Sequence, residues 1–211
     1  MRTRHIFSIV ALLVLCLALP AQAAEPVGKV SRLQGKGLVV GYNTVADLAV
    51  GTPVRPGDTL VTLTGSLAEV SLDDGSSLTL AQATVFALDR LEYGPDRKSI
   101  AHAALRLVGG AFKAAVNKLG QVREPEFTVR TPLATIGIRG TTFWGGFLGA
   151  DKFGVMLVRG TGVYVQSEAG KVELAQPGEG TWVNLATGAL KPVAQWTQQE
   201  KDMAYATVTF K

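Results

Sequence analysis

The chain has 211 residues, 47% of them hydrophobic and 18% charged, with a formal net charge of +4. That composition excludes a disordered chain, and the length fits one domain, or one domain with accessories. One cysteine and two histidines exclude an intrachain disulfide framework and a Cys/His zinc cluster, so no metal or cofactor is expected.

Met1-Arg-Thr-Arg-His5 opens the chain with positive charge, and the sequence is apolar from Ile6 to Leu19. Pro20 breaks the run and Ala21-Gln22-Ala23 follows. A basic start, a short apolar core and an A-x-A site predict a secretory signal peptide over residues 1–23. The apolar run is 14 residues, short of the ~20 a spanning helix needs; an uncleaved anchor is the alternative. Leu15 precedes Cys16 where a lipoprotein site takes a small residue, so lipid attachment is not expected. Cleavage leaves 188 residues, no cysteine and a net charge of +2. Part of the basic character is therefore export signal, and no nucleic-acid partner is expected. No later apolar run reaches ~18 residues, so no transmembrane span is expected in the mature chain.

From there the chain reads as short strands between glycine turns. Arg55-Pro56-Gly57-Asp58 places Pro where φ is preset and Gly where φ is free to be positive. Ala68, Val70 and Leu72 then alternate with Leu67, Glu69 and Ser71. Asp73-Asp74-Gly75-Ser76 is a hairpin signal before Leu78 and Leu80. Tyr93-Gly94-Pro95-Asp96 is a further turn. Ser99 to Val108 is alanine-rich, but Leu105 and Leu107 alternate, which predicts a strand. Phe127/Val129, Ile136/Ile138, Val163/Val165 and Val172/Leu174 continue the same period of two, which puts one set of side chains on a core. Gln176-Pro177-Gly178-Glu179 and Ala186-Thr187-Gly188 add turns. This spacing predicts an all-β sandwich, barrel or solenoid. Thr197 and Glu200 fit an N-cap pair, which predicts a short helix over Gln195–Ala204 and then a strand-like Ala206–Phe210. The expected organisation is a signal peptide (1–23), one β domain (24–190) and a C-terminal extension (191–211).

No residue set makes a catalytic constellation. His102 is the only histidine of the mature chain and has no matched nucleophile or ligand set. Asp73 and Asp74 could be paired acids of glycoside hydrolysis; as neighbours in a turn they are expected to point apart into water. Asp58 reads as a turn cap. Arg139, between Gly137 and Gly140, reads either as a ligand-reading cation or as a structural donor to turn carbonyls or to Asp58. Phe143, Trp144 and Phe147 cluster about Gly145-Gly146. If exposed, they offer aromatic anchors for a partner protein or a glycan; otherwise Phe143 and Phe147 face the core and Trp144 is half-covered.

Three segments together resemble the FecR domain, the periplasmic part of ferric-citrate-type sigma regulators. They are Val54-Arg-Pro-Gly-Asp-Thr-Leu-Val-Thr62, Ala68-Glu-Val-Ser-Leu-Asp-Asp-Gly-Ser-Ser-Leu-Thr-Leu80 and Phe127-Thr-Val-Arg-Thr-Pro-Leu-Ala-Thr-Ile-Gly-Ile-Arg-Gly-Thr-Thr-Phe143. Val158-Arg-Gly-Thr-Gly-Val-Tyr-Val165 and Ala175-Gln-Pro-Gly-Glu179 resemble the family's closing strands. The resemblance implies a twisted, solenoid-like stack of short strands, with a β-sandwich as the alternative. It makes Gly57, Asp58, Gly75, Arg139, Gly140 and Thr141 family-motif residues with structural roles. It implies a periplasmic location, with extracellular release as the alternative. The family's regulators carry a cytoplasmic anti-sigma segment and a transmembrane helix, and neither is expected here. The functional expectation is a non-enzymatic binding or scaffold module with an envelope protein partner, or a sensor subunit. The alternative is a cell-wall protein that binds peptidoglycan or polysaccharide.

Overall fold

A computed structural model describes residues 24–117, 126–138, 140–149 and 152–211. The expected signal peptide and Arg139 lie outside the described residues. The strands, in chain order, are β1 (Gly28–Gln34), β2 (Gly37–Val40), β3 (Val45–Asp47), β4 (Pro53–Val54), β5 (Thr59–Thr62), β6 (Leu67–Leu72), β7 (Ser77–Leu80), β8 (Val85–Tyr93) and β9 (Ile100–Gly109). They continue as β10 (Ala111–Ala115), β11 (Glu126–Arg130), β12 (Thr135–Ile138), β13 (Thr142–Phe147), β14 (Lys152–Arg159), β15 (Val163–Ser167), β16 (Gly170–Leu174), β17 (Glu179–Asn184) and β18 (Ala194–Gln195). One helix, α1 (Gln198–Thr207), follows.

Among the described residues the strands form two open nine-stranded sheets. Sheet A runs β18-β17-β14-β13-β10-β7-β6-β1-β4, and sheet B runs β16-β15-β12-β11-β9-β8-β5-β2-β3. The chain lays down a strand or a hairpin on one sheet, crosses to the other, and so advances along both. The two expected architectures thus describe one object: two layers as in a sandwich, threaded progressively as in a solenoid. The β9–β11 pair is parallel, whereas the hairpins are antiparallel.

The period-two pattern holds the layers together. Val70, Leu72, Leu78, Leu80, Phe112 and Phe143 of sheet A join Leu60, Phe86, Leu105, Val129, Ile136 and Val165 of sheet B in one buried cluster. Phe86 and Phe112 meet across the layers with ring centroids 5.0 Å apart, and Phe143 packs edge-on to Phe112 at 5.4 Å. Non-polar area buried this way contributes roughly 25 cal/mol per Å².

Sheet A is also covered on its outer face. Across four strands the register aligns Trp182, Gly154, Gly146 and Ala111, beside a second row of Gly180, Met156, Trp144 and Lys113. Glycine and alanine leave a trough there, and the C-terminal segment fills it. Trp196 stacks on Trp182 at 4.6 Å with the planes 5° apart, and Trp144 meets Trp196 edge-on at 5.9 Å. Ala204 of α1 and Val208 close this second buried cluster. The Trp144 indole donates to Thr207 Oγ1 at 3.0 Å. The Trp182 indole donates to Glu200 Oε1 at 3.1 Å. The segment ends with the Arg32 guanidinium 4.1 Å from the centre of the Phe210 ring, so it crosses from β17 to β1. The expected terminal strand is absent: Ala206 and Thr207 end α1, and Val208 to Phe210 follow without strand pairing. Covering the trough requires the helix to run to Thr207.

The expected N-cap pair is a full capping box. Thr197 Oγ1 accepts from the Glu200 N–H at 3.3 Å, and Glu200 Oε2 accepts from the Thr197 N–H at 2.8 Å. Burial pushes the Glu200 carboxyl up, but bonds from the Thr197 N–H, the Thr197 hydroxyl and the Trp182 indole, with Lys152 nearby, outweigh it. The net result is a carboxyl held below the usual range.

Phe112→Ala is expected to cost about 3–5 kcal/mol, read as a lower urea midpoint with an unchanged slope. Glu200 contributes stability that is fully present above the unfolded carboxylate pKa of roughly 4.3 and is lost as pH falls through its lower folded value. The urea midpoint should therefore drop between pH 6 and pH 3, and Glu200→Gln should drop less over the same interval; an equal drop would remove Glu200 from the account.

Candidate interaction surfaces

The turn residues singled out by the sequence are placed by backbone need. Gly57 has φ +90° and Gly75 has φ +83°, the left-handed region where a Cβ is strained. Asp58 is buried and caps its turn: its Oδ2 accepts from the Arg55 N–H at 2.8 Å, while its own N–H donates to the Arg55 carbonyl at 3.1 Å. Asp73 and Asp74 do point apart, but only one is in water. Asp73 pairs with Arg97 at 2.8 Å. Asp74 is buried, accepting from the Ser76 N–H at 3.0 Å and the Ser76 hydroxyl at 2.7 Å. Asn117 donates to Ser76 Oγ and to the Asp74 carbonyl from the neighbouring segment.

Gly75, Gly140 and Thr141 come together at the strand ends of β7, β10, β13 and β14, although 65 residues separate the first two. They line a cleft of roughly 380 Å³ with Asn117, Thr142 and Arg159. The Thr141 hydroxyl donates to the Arg159 carbonyl and ties the Gly140–Thr141 bend to the end of β14. Among the described residues Arg159 is the charged side chain lining this cleft. His102 sits half-buried on β9. Among the described residues no group of three or more His, Cys, Asp or Glu could hold a metal ion. Nor is any described helix long and apolar enough to cross a membrane.

The aromatic cluster is a correction. Phe143 and Trp144 are both 0% exposed, so neither is offered to a partner. Phe143 points into the inter-sheet core and Trp144, one residue on, points into the trough under α1. Phe147 is half-buried against Phe153, with ring centroids 5.0 Å apart. The reason is that sheet A has core on both faces, so alternation no longer sends one residue in two to water.

Sheet B keeps an open outer face, and the sequence reading missed it. Leu60, Phe86 and Leu107 point inward along one row. Their neighbours therefore point outward: Leu38, Val61 and Val85 in one row, and Val45, Val40 and Thr59 in the next. Val45 is 67% exposed and Val108, beside them, 51%. This aliphatic end borders β3, an edge strand exposed along its whole length, with Tyr42 98% exposed at the hairpin tip. Farther along the same face the residues are charged. Arg106 grips Asp89 at 2.7 and 3.0 Å, and Arg90 grips Glu92 twice at 2.7 Å. The Arg106 hydrogen bond holds the Asp89 carboxyl below its usual range, and Arg90 does the same to Glu92. The missed signal is the consecutive Leu38-Val39-Val40, in which both strand faces are apolar.

The FecR protein family model matches residues 58–191. Two crystal structures of a "putative anti-sigma factor" from Parabacteroides distasonis are similar in fold. Each is 21% identical with a TM-score of 0.52, over 68% of this chain and 62% of that protein's length. No curated protein matches. The motifs quoted from the sequence lie almost wholly within the matched residues, which form most of both sheets. With more than half of its length matched, the chain belongs to the FecR protein family.

Proposed function

We propose that this chain is an exported, non-enzymatic FecR-family module of the cell envelope that acts through protein–protein contacts in signal regulation. The family match over residues 58–191 carries the reading. The "putative anti-sigma factor" from Parabacteroides distasonis, similar in fold, points the same way. The basic start, apolar run and Ala21-Gln22-Ala23 support export to the periplasm. The open edge of β3 with its adjoining aliphatic face fits an extended segment of a partner, whose backbone would continue sheet B while its alternate side chains cover Val40 and Val45. The glycan reading loses the residue that motivated it, since Trp144 is buried.

The test is a pull-down from envelope extract with the processed chain as bait. A protein partner should be retained in near-stoichiometric yield. Val40→Lys with Val45→Lys should lower its recovery at least tenfold while the β-sheet circular dichroism stays unchanged. Retention of murein alone, or turnover of a substrate by the purified chain, would contradict the reading.

A further inference from the structure

We infer, on the strength of the partner-strand reading, that the segment continuing sheet B at β3 carries a lysine or arginine two residues before an aliphatic residue. Of the four sheet edges, three are guarded against pairing. β4 is two residues long and starts with Pro53, which has no N–H to give, and β18 is equally short. β16 sets Lys171 and Glu173 on one side, opposite Gln166 and Tyr164, with Lys171 Nζ 4.2 Å from the centre of the Tyr164 ring. β3 has no proline and one charge, Asp47.

The register of the β2–β3 hairpin fixes which backbone groups face outward. The Gly41 N–H donates to the Thr44 carbonyl at 2.8 Å, and the Leu48 N–H to the Gly37 carbonyl at 2.9 Å. Bonded pairs alternate along an antiparallel ladder, so Thr44, Ala46 and Leu48 direct their backbone groups to β2. Val45 and Asp47 turn theirs to the open edge. Their side chains share the outer face, opposite Val40 and Leu38. A strand added there therefore meets one apolar and one acidic neighbour, two residues apart. Asp47 is exposed and takes part in no ion pair among the described residues. An aliphatic side chain opposite Val45 and a cation opposite Asp47 complement both positions. In antiparallel pairing the cation comes first along the partner. A second copy of this chain fits poorly, because two antiparallel β3 strands paired along their whole length set Val45 against Asp47 twice and bring no cation.

The probes are two synthetic peptides blocked at both ends, Thr-Lys-Thr-Val-Thr and Thr-Glu-Thr-Val-Thr. Binding is read from the amide NMR shifts of Val45 and its neighbours in the isotopically labelled, processed chain. The lysine peptide should bind the wild type at least threefold more tightly than the glutamate peptide, and Asp47→Lys should reverse that order. The difference should shrink in ~1 M NaCl, where charges are screened within ~3 Å. N-methylation of the peptide's valine removes the N–H that meets the Val45 carbonyl and should abolish binding. Equal binding of the two peptides, an order that Asp47→Lys leaves unchanged, binding that survives N-methylation, or no binding at millimolar peptide each overturns the inference. The pull-down separates this from the proposed function. A partner lost with Val40→Lys and Val45→Lys but recovered undiminished with Asp47→Lys upholds that function and overturns the charge selection.

Discussion

Two stacked sheets have four faces, and only two can bury each other. The inner faces solve their problem with period-two aliphatic and phenylalanine side chains, centred on the Phe86–Phe112 contact. The outer faces must then be polar, or be covered by something else, because exposed aliphatic area is costly and adhesive. How each outer face is finished decides what the molecule offers to its surroundings.

Sheet A is finished from within the chain. All three tryptophans, Trp144, Trp182 and Trp196, gather in one buried cluster on its outer side. Glycines at 146, 154 and 180 make room for the rings, and Lys152 lies 4.6 Å from the Trp182 ring at the border. Sheet B is finished in two ways. Arg106–Asp89 and Arg90–Glu92 make one part of its outer face a solvated charge ladder. The part built on β2, β3 and β5 stays aliphatic and open beside a free edge. This division fits the proposed protein-interaction module, and the FecR match covers most of both sheets.

Much of this was legible in the residues. Leu78/Leu80, Phe127/Val129 and Val163/Val165 face the core as their alternation requires, because each strand there has one dry face. Gly57 and Gly75 take the positive φ that their turns demand. Thr197 and Glu200 announce α1 by local capping chemistry alone. Trp144 was not legible, because its cover arrives some fifty residues later in the chain and alternation carries no information about distant segments. The trace that was available lies in Gly145-Gly146, Gly154 and Gly180: glycine inside a strand marks close approach by another group. The burial of Asp74 was not legible either: its carboxylate folds back onto the Ser76 N–H and hydroxyl, and a bond to its backbone from Asn117, on a distant segment, joins the turn to β10. Which strand belongs to which sheet was equally hidden, because both sheets show the same period.

The account turns on the closed outer face of sheet A, and the chain's own indoles report on it. Tryptophan emission from the processed protein should be blue-shifted and nearly insensitive to iodide, since Trp144, Trp182 and Trp196 are 0%, 7% and 4% exposed. Emission at the wavelength of water-exposed indole, quenched by iodide in the native protein, would show that the trough is not covered and would contradict the account.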